Sequence, residues 1–231
     1  MIWANRQPPL LAMPLHHRLA AEVFGTALLV FFGPGSAVIS AYQDGAITLE
    51  GIAAANGVVI MVLIYSLGHI SGAHFNPAVT IAFSLFRHFQ PRDVAPYIAA
   101  QCAGALLGAL LLWALFGGAI ESGVTGPSST DAQSFGMEVV LTFALMFVII
   151  AVATDARAVG QAAAIAIGAT VFIDVLIGGP ISGGSMNPAR SLGPAVVAGQ
   201  LSGYWIYLLA PIIGAALGAF AYTSVRGDHD P

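Results

Sequence analysis

Charged side chains are scarce in this sequence, and lysine is absent altogether. Of the 231 residues only 8% are charged, whereas 58% are hydrophobic and the mean hydropathy is +0.86. This composition excludes a soluble globular chain and indicates an integral membrane protein surrounded by a lipid bilayer. The single cysteine, Cys102, excludes an internal disulfide bond. The 27 glycines are typical of membrane helices that approach one another closely.

Six apolar stretches are long enough to cross a hydrocarbon core, which takes about 20 residues of helix. They lie at about 18–40, 49–69, 94–117, 134–154, 160–179 and 202–225. Two further apolar stretches, 76–86 and 187–198, are too short to cross. We therefore predict an all-α integral membrane fold of six transmembrane helices plus two re-entrant half-helices.

The same interruption precedes each short stretch. Residues 70–78 read ISGAHFNPA and residues 181–189 read ISGGSMNPA. Glycine and serine break each helix before Asn-Pro-Ala starts a new one. Non-helical backbone at membrane depth is tolerated only where protein buries it or where it lines a water-filled cavity. The pair therefore predicts a pore or a binding site at the membrane midplane, built from two halves.

An internal repeat follows from the spacing of other residues. Asn187 follows Asn76 by 111 residues, and the pair Glu22-Val23 recurs as Glu138-Val139. The glycine pair in GALLG at 104–108 recurs in GAALG at 214–218, which predicts two close packing faces. A unit of three spans crosses the membrane an odd number of times, so the second copy runs inverted. We predict one domain over 1–231, with inverted repeats at 1–120 and 121–231.

Arginine placement predicts the orientation, because cytoplasmic loops collect basic residues. The loops at 41–48 and 118–133 hold no arginine. The arginines that flank the spans are Arg6, Arg18, Arg87, Arg92, Arg157 and Arg226. We expect both termini in the cytoplasm, the first half-helix entering from the cytoplasm and the second from outside. The segment before Arg18 lacks the apolar run of a cleaved signal peptide, so the first span is interpreted as a retained anchor. The short termini favour a bacterial plasma membrane.

Asparagine and proline at the start of each half-helix have a defined chemistry. An N-cap asparagine accepts a backbone N–H through its side-chain oxygen, and proline is favoured at the next position because its missing N–H costs nothing there. The amide NH2 groups of Asn76 and Asn187 are then expected to be free, and both helix dipoles point their positive ends at the midplane. Such a site accepts a water or hydroxyl oxygen and repels cations. The alternative is that the two asparagines only cap their helices.

Two sets of candidate pore residues follow from this interpretation. The midplane set is Asn76, Pro77, Ala78, Asn187, Pro188 and Ala189. The extended stretches 72–75 and 183–186 are expected to present a ladder of carbonyl acceptors, and the residues assigned to it are Gly72, Ala73, His74, Gly183 and Ser185.

Together these residues resemble the aquaporin family, the major intrinsic proteins, over almost the whole chain. The resemblance is carried by two Asn-Pro-Ala motifs in register with six spans, by GHISG at 68–72 and by NPARS at 187–191. It implies a homotetramer in which each protomer has its own pore for water or small uncharged solutes. It implies no cofactor and no metal, and we expect no nucleic-acid partner.

Arg190 carries a charge inside the second half-helix, whereas the matching residue of the first copy is Val79. An arginine at membrane depth is costly and by default functional. In aquaporins the matching arginine belongs to a four-residue selectivity filter, and the resemblance implies that its other members here are Asn56, Val175 and Gly184. Water-selective members differ by an aromatic residue on span two and a histidine on span five. Glycerol facilitators differ by an aspartate where this chain has Ser191.

Single positions resemble the nodulin-type intrinsic proteins of plants and their bacterial relatives. These positions are Phe116, Ser191, Ala195, Tyr207 and Leu208. That subfamily is associated with glycerol, urea, boric acid, silicic acid and arsenous acid. A small polar Asn56 opposite Val175 and Gly184 predicts a wide, hydrophilic constriction.

Three acidic residues lie within the predicted spans. Glu22 and Glu138 are related by the repeat, and we expect them to accept hydrogen bonds from the re-entrant loops. For Asp174 two interpretations stay open: it holds Arg190 or a loop in place, or it faces the vestibule. We interpret His69 and His74 as fixed polar contacts rather than metal ligands, with gating by protonation of His74 as the alternative.

Three other functions are compatible with such a fold. A secondary transporter needs a carboxylate for its coupling ion, and Asp174 is the candidate. A membrane scaffold needs no conduction at all. A strictly water-selective channel is the alternative to a broad solute range.

Overall fold

The computed structural model describes residues 13–154 and 162–226, and this part of the chain is all-helical. The helices are α1 Leu15–Tyr42, α2 Leu49–Ser71, α3 Pro77–Leu85, α4 Pro91–Phe116, α5 Asp131–Thr154, α6 Ala163–Ser182, α7 Pro188–Val197 and α8 Tyr204–Arg226. A 3-10 turn at Gly117–Gly123 continues α4. Six of these helices are long and apolar enough to span a membrane, and α3 and α7 are the two short ones. The predicted fold class is confirmed; Arg6 and Arg157 lie outside the described residues.

Left-handed glycines end the two helices that lead into the broken segments. The helix α2 ends at Gly72 with φ 88°, and α6 ends at Gly183 with φ 85°. Each cap N–H bonds the carbonyl four residues earlier, at Gly68 and Gly179. Glycine takes this conformation without the Cβ penalty of other residues. The helix α2 therefore continues two residues past its predicted end at residue 69, up to the first position where glycine permits the reversal.

The helices pack in a pattern that repeats between the halves. In the first half α1 packs against α2 and α4, and in the second half α5 packs against α6 and α8. The two halves meet where α2 packs against α6, and each half-helix also contacts the last span of the other half, α3 with α8 and α7 with α4. The repeated contact pattern agrees with the internal repeat.

Glycines allow the closest of these approaches. A Cβ atom on any of four glycines would collide with a backbone carbonyl of the facing helix, which is α1 or α5. These glycines are Gly104, Gly108, Gly214 and Gly218. The predicted packing faces are confirmed, because only a residue without a side chain permits this backbone contact.

Candidate functional site

The two half-helices begin with the same cap. The Oδ1 of Asn76 accepts the N–H of Ala78 at 2.9 Å, and the Oδ1 of Asn187 accepts those of Ala189 at 3.0 Å and Arg190 at 3.2 Å. A proline occupies the first turn of each helix. Asparagine side chains thus satisfy N–H groups that a helix start otherwise leaves unpaired.

The same asparagines also join the two halves. The Nδ2 of Asn76 donates to the carbonyl of Met186, and the Nδ2 of Asn187 donates to the carbonyl of Phe75, both at 2.8 Å. The expectation that both amide groups are free was therefore wrong. The buried loop carbonyls have no helical partner and need a donor, and these amides supply it. A primary amide has two hydrogens, so each asparagine keeps one for another acceptor.

Two buried glutamates fix the loops that precede the half-helices. The carboxylate of Glu22 accepts the N–H of His74 at 3.0 Å and of Phe75 at 2.7 Å. That of Glu138 accepts the N–H of Ser185 at 2.8 Å and of Met186 at 2.7 Å. Both glutamates are fully buried. The predicted structural role of Glu22 and Glu138 is confirmed.

These hydrogen bonds constrain the loops into an unusual backbone. The residues Ala73, Phe75 and Met186 have φ values of 51°, 50° and 55°, in the left-handed region that non-glycine residues rarely occupy. Such conformations persist only where the surroundings hold them, as the two carboxylates do here. The loop N–H groups point toward the glutamates, which leaves loop carbonyls available to the space between the halves.

That space is a cavity of about 140 Å³ with two chemically different walls. The apolar wall comes from α2, α5 and α6 and includes Ile60, Ile64, Leu145, Ile149, Ile167 and Val171. The polar wall comes from the loops and half-helices and includes Gly72, Ala73, His74, Asn76, Gly184, Ser185, Met186, Asn187 and Arg190. Asn56 of α2 also lines the cavity. Met186 was not expected from the sequence, and Gly183 is not among the lining residues.

The four residues implied as a filter do not all reach the cavity surface. Gly184 has φ 57°, and a Cβ on it would lie 3.2 Å from the Cα of Val175. Val175 is buried directly behind Gly184, and Val171 of the same helix lines the cavity instead. A side chain at position 184 would therefore collide with α6, so this part of the polar wall is bare backbone.

Asn56 is turned along its own helix. Its Nδ2 donates to the carbonyl of Ile52 at 2.9 Å, and its Oδ1 packs against Gly33 of α1. The ring of Phe75 is fully buried against Gly25. Neither the Asn56 amide nor the Phe75 ring projects across the filter.

Arg190 is the unpaired cation of the cavity wall. It is 7% exposed, and its side chain has no hydrogen bond or ion pair within the described ranges. A guanidinium carries five N–H donors, and leaving them unpaired in a buried site is costly. Arg190 thus offers the cavity a positive charge and several donors that no protein group uses.

The geometry agrees with what comparison with known proteins finds. Residues 11–222 match the family model described as Major intrinsic protein. The chain belongs to this family. It is similar to Aquaporin NIP1-1 of Oryza sativa subsp. japonica, with 49% identity over 95% of this chain and 78% of the relative. It is also similar to Nodulin-26 of Glycine max, with 49% identity over 98% of this chain and 84% of the relative.

A solved structure shares the fold of this intrinsic protein. The X-ray structure of the aquaglyceroporin from Plasmodium falciparum superposes with a TM-score of 0.83 and covers 92% of this chain and 97% of its own. The two sequences are 24% identical, so this likeness concerns the fold. It confirms the arrangement of spans and half-helices expected from the resemblance.

Asp174 does not hold Arg190 or a loop. No carboxylate lies within 4.0 Å of the Arg190 guanidinium, and no described residue donates a hydrogen bond to Asp174. The interpretation of Asp174 as a positioning residue was therefore wrong. Its carboxyl lies on a side of α6 that the loop contacts do not reach.

His74 makes a defined polar contact, as predicted. Thr80 donates its single hydroxyl hydrogen to the carbonyl of Asn76 and accepts one from Gln101, so the Nδ1 of His74, 3.0 Å away, must be the donor to Thr80. The ring is then neutral with Nε2 as an acceptor. It packs among the rings of Phe83, Phe89 and Tyr97. No group of three potential metal ligands occurs in the described residues.

Two tyrosines complete the loop supports and were missed as site residues. The hydroxyl of Tyr97 donates to the carbonyl of Ser71 at 2.9 Å, and that of Tyr207 donates to the carbonyl of Ser182 at 2.7 Å. Their spacing of 110 residues nearly equals that of the two asparagines, and this signal identifies them. Arg18, used above only for orientation, is buried and donates to Tyr97 and Asp93 at 2.9 Å each.

Proposed function

We propose that this intrinsic protein is a passive channel for water and small uncharged solutes, including glycerol, urea and metalloid hydroxides such as boric, silicic or arsenous acid, and that it excludes ions and protons. The observation that carries this proposal is a single cavity with one apolar wall and one wall of fixed donors and acceptors. Selectivity in such a pore depends on its width and on the donors and acceptors that line it. The amides of Asn76 and Asn187 and the unpaired guanidinium of Arg190 provide donors that replace hydration for a neutral solute.

Ion exclusion follows from the charges at the cavity wall. Two helix N-termini meet at the two asparagines, and Arg190 adds a full positive charge. No carboxylate lines the cavity in the described part of the chain. A cation therefore meets a positive potential without a compensating acid.

A secondary transporter is disfavoured by the bonds between the halves. Alternating access requires one half to move against the other around the site. The amide bonds of Asn76 to Met186 and of Asn187 to Phe75 cross this boundary at the site itself. Asp174, the candidate for ion coupling, is not among the cavity-lining residues. These contacts support a fixed pore.

A broad solute range is supported by the small residues of the filter. Asn56 and Gly184 leave the constriction without an aromatic or histidine side chain, and the relatives described above carry the names of aquaporin NIP1-1 and nodulin-26. The structural neighbour is described as an aquaglyceroporin. A strictly water-selective channel is the alternative that the experiment below separates.

We also propose a homotetramer in a bacterial plasma membrane, with both termini cytoplasmic. The chain is a multi-pass membrane protein, and large apolar side chains such as Phe24, Phe32 and Phe220 are exposed for lipid or neighbouring protomers. Arg18 and Arg87 line one polar pocket with His88, and burial together with the charge of Arg226 lowers the pKa of His88. Basic residues thus gather at one end of the molecule, which the positive-inside rule assigns to the cytoplasm.

The test is a permeability panel on reconstituted vesicles. Water, glycerol, urea, boric acid and arsenous acid are measured on one preparation, with and without gradients of pH and sodium. We expect flux of water and the larger solutes that does not respond to either gradient. Flux that follows an ion gradient would indicate a transporter, flux of water alone a water-selective channel, and no flux a scaffold.

A further inference from the structure

Asp174 is a buried acid that the fold does not use. It is 5% exposed, its Oδ2 is fully enclosed, and neither oxygen accepts a hydrogen bond from a described residue. The other two acids of the spans, Glu22 and Glu138, each accept at least three hydrogen bonds. Burying an unpaired carboxyl at membrane depth is costly, and such a group is by default functional.

The helical period places Asp174 on the cavity side of α6. The cavity-lining residues of this helix, Ala163, Ile167 and Val171, follow one another at intervals of four. With 3.6 residues per turn, position 174 lies about 20° around the helix from Ile167, whereas position 175 lies about 80° away. Asp174 therefore continues the lining stripe, about 4.5 Å along the axis beyond Val171.

Asp174 also lies at the depth of the filter. Its neighbour Val175 is in contact with Gly184, which lines the same end of the cavity as Arg190. One turn further, Gly178 packs onto Leu141 of α5, so the stripe is closed beyond Asp174. The cavity thus ends near two unpaired groups of opposite character, an acceptor on α6 and a donor on α7.

We propose that Asp174 and Arg190 form a two-sided binding site for neutral polyhydroxylated solutes, meaning polyols and metalloid hydroxides. Arg190 donates to a solute oxygen, and Asp174 accepts a hydrogen from a second hydroxyl of the same molecule. Their nitrogen and oxygen atoms are more than 4.0 Å apart, so they do not satisfy each other and a solute can enter between them. Asp174 keeps an acceptor oxygen whether or not it is ionised. This inference rests on the proposed channel function and assigns the solute class of its filter.

The test uses three substitutions of Asp174 in reconstituted protein. Asp174→Leu and Asp174→Ala remove the acceptor, one with similar volume and one with less, whereas Asp174→Asn keeps an acceptor oxygen. Loss of one hydrogen bond predicts that glycerol and boric acid fluxes fall about fivefold in both the leucine and the alanine variant. Water flux and the asparagine variant should stay near the parent. Purely steric control predicts the opposite sign for alanine, which enlarges the pore.

Binding is tested separately from folding by the concentration dependence of labelled glycerol flux. In the parent we expect saturation, and competition by boric acid. In Asp174→Ala the half-saturating concentration should rise about fivefold and the competition should weaken. Ile173→Ala, on the neighbouring exposed residue of the same helix, is the matched control and should behave as the parent.

Three results would overturn the inference. Unchanged glycerol and boric acid fluxes in a folded Asp174→Ala or Asp174→Leu would remove Asp174 from the site. An asparagine variant as impaired as the alanine variant would show that the charge matters rather than the acceptor. A parent that conducts water but neither glycerol nor boric acid would refute the broad solute range itself, a failure distinct from the first two because it precedes any substitution.

Discussion

Asn76 and Asn187 are each bonded through Nδ2, at 2.8 Å, to a loop carbonyl of the opposite half of the molecule. Each asparagine therefore does three things: it caps its own half-helix, it ties the two halves together, and it keeps one amide hydrogen for the cavity. The bond and the cap fix the amide plane, so the remaining hydrogen has a fixed direction. A donor held in this way needs no reorganisation when a solute oxygen arrives.

Asn187→Asp tests the midplane barrier. The carboxylate adds a negative charge where two helix N-termini meet and cannot donate to the carbonyl of Phe75. A unit charge about 4 Å from a passing cation is worth about 4 kcal/mol at an effective dielectric of 20, so potassium leak should rise at least about tenfold. The leak is measured on vesicles loaded with potassium chloride. Gln200→Glu, on an exposed residue, is the control, and an inserted Asn187→Asp channel as tight as the parent would place the barrier elsewhere.

Much of this site was predictable because the sequence states it twice. The spacing of Asn76 and Asn187 indicated two equivalent half-helices, and the matching spacing of Glu22 and Glu138 indicated their common role. The doubled pattern also contained Tyr97 and Tyr207, although neither residue type nor position alone marks a loop support. Repeats reveal pairs of contacts that a single motif does not.

The rotation of individual side chains was not predictable. Val175 turns behind Gly184 because α6 presents Val171 to the cavity, and this depends on how α6 packs against its neighbours. Asn56 turns back to Ile52 because Gly33 of α1 leaves room for it there. Both outcomes depend on contacts between helices, which local sequence does not encode.

Arg190→Val tests the donor at the filter. The substitution removes the positive charge and shortens the side chain, so ammonium and other small cations should leak faster, and water flux should persist. We measure ammonium uptake by the pH change inside vesicles. Arg92→Val serves as the control, because the Arg92 side chain is 80% exposed and does not line the cavity. Unchanged selectivity in Arg190→Val would mean that the guanidinium does not act on permeating ions.

Asn56→Phe tests the width of the constriction. The site that the Asn56 amide occupies against Gly33 is too tight for a phenyl ring, so the ring must turn toward the cavity. Glycerol and boric acid fluxes should then fall about tenfold or more, and water flux should be largely retained. Stopped-flow light scattering measures all three solutes. Val58→Phe places the same ring on an exposed, lipid-facing position of α2 and should have no effect. Equal loss of water and glycerol fluxes would show general blockage instead of a change in selectivity.

Glu138→Gln tests whether the loops depend on a buried carboxylate. In the parent one oxygen of Glu138 accepts the N–H of Ser185 and the other accepts the N–H of Met186. A glutamine has one acceptor oxygen and one NH2 group, so in either orientation one loop N–H faces another donor. An unpaired buried N–H costs about 1–3 kcal/mol, and for a chain of this size each kcal/mol lowers the Tm by about 2–4 °C. Glu22→Gln should have a similar effect, because its two oxygens accept the N–H groups of His74 and Phe75 in the same way. The Tm is measured in detergent against Glu50→Gln, an exposed residue at the start of α2. If both buried variants melted with Glu50→Gln at the parent's Tm, the loops would not owe their conformation to the carboxylates.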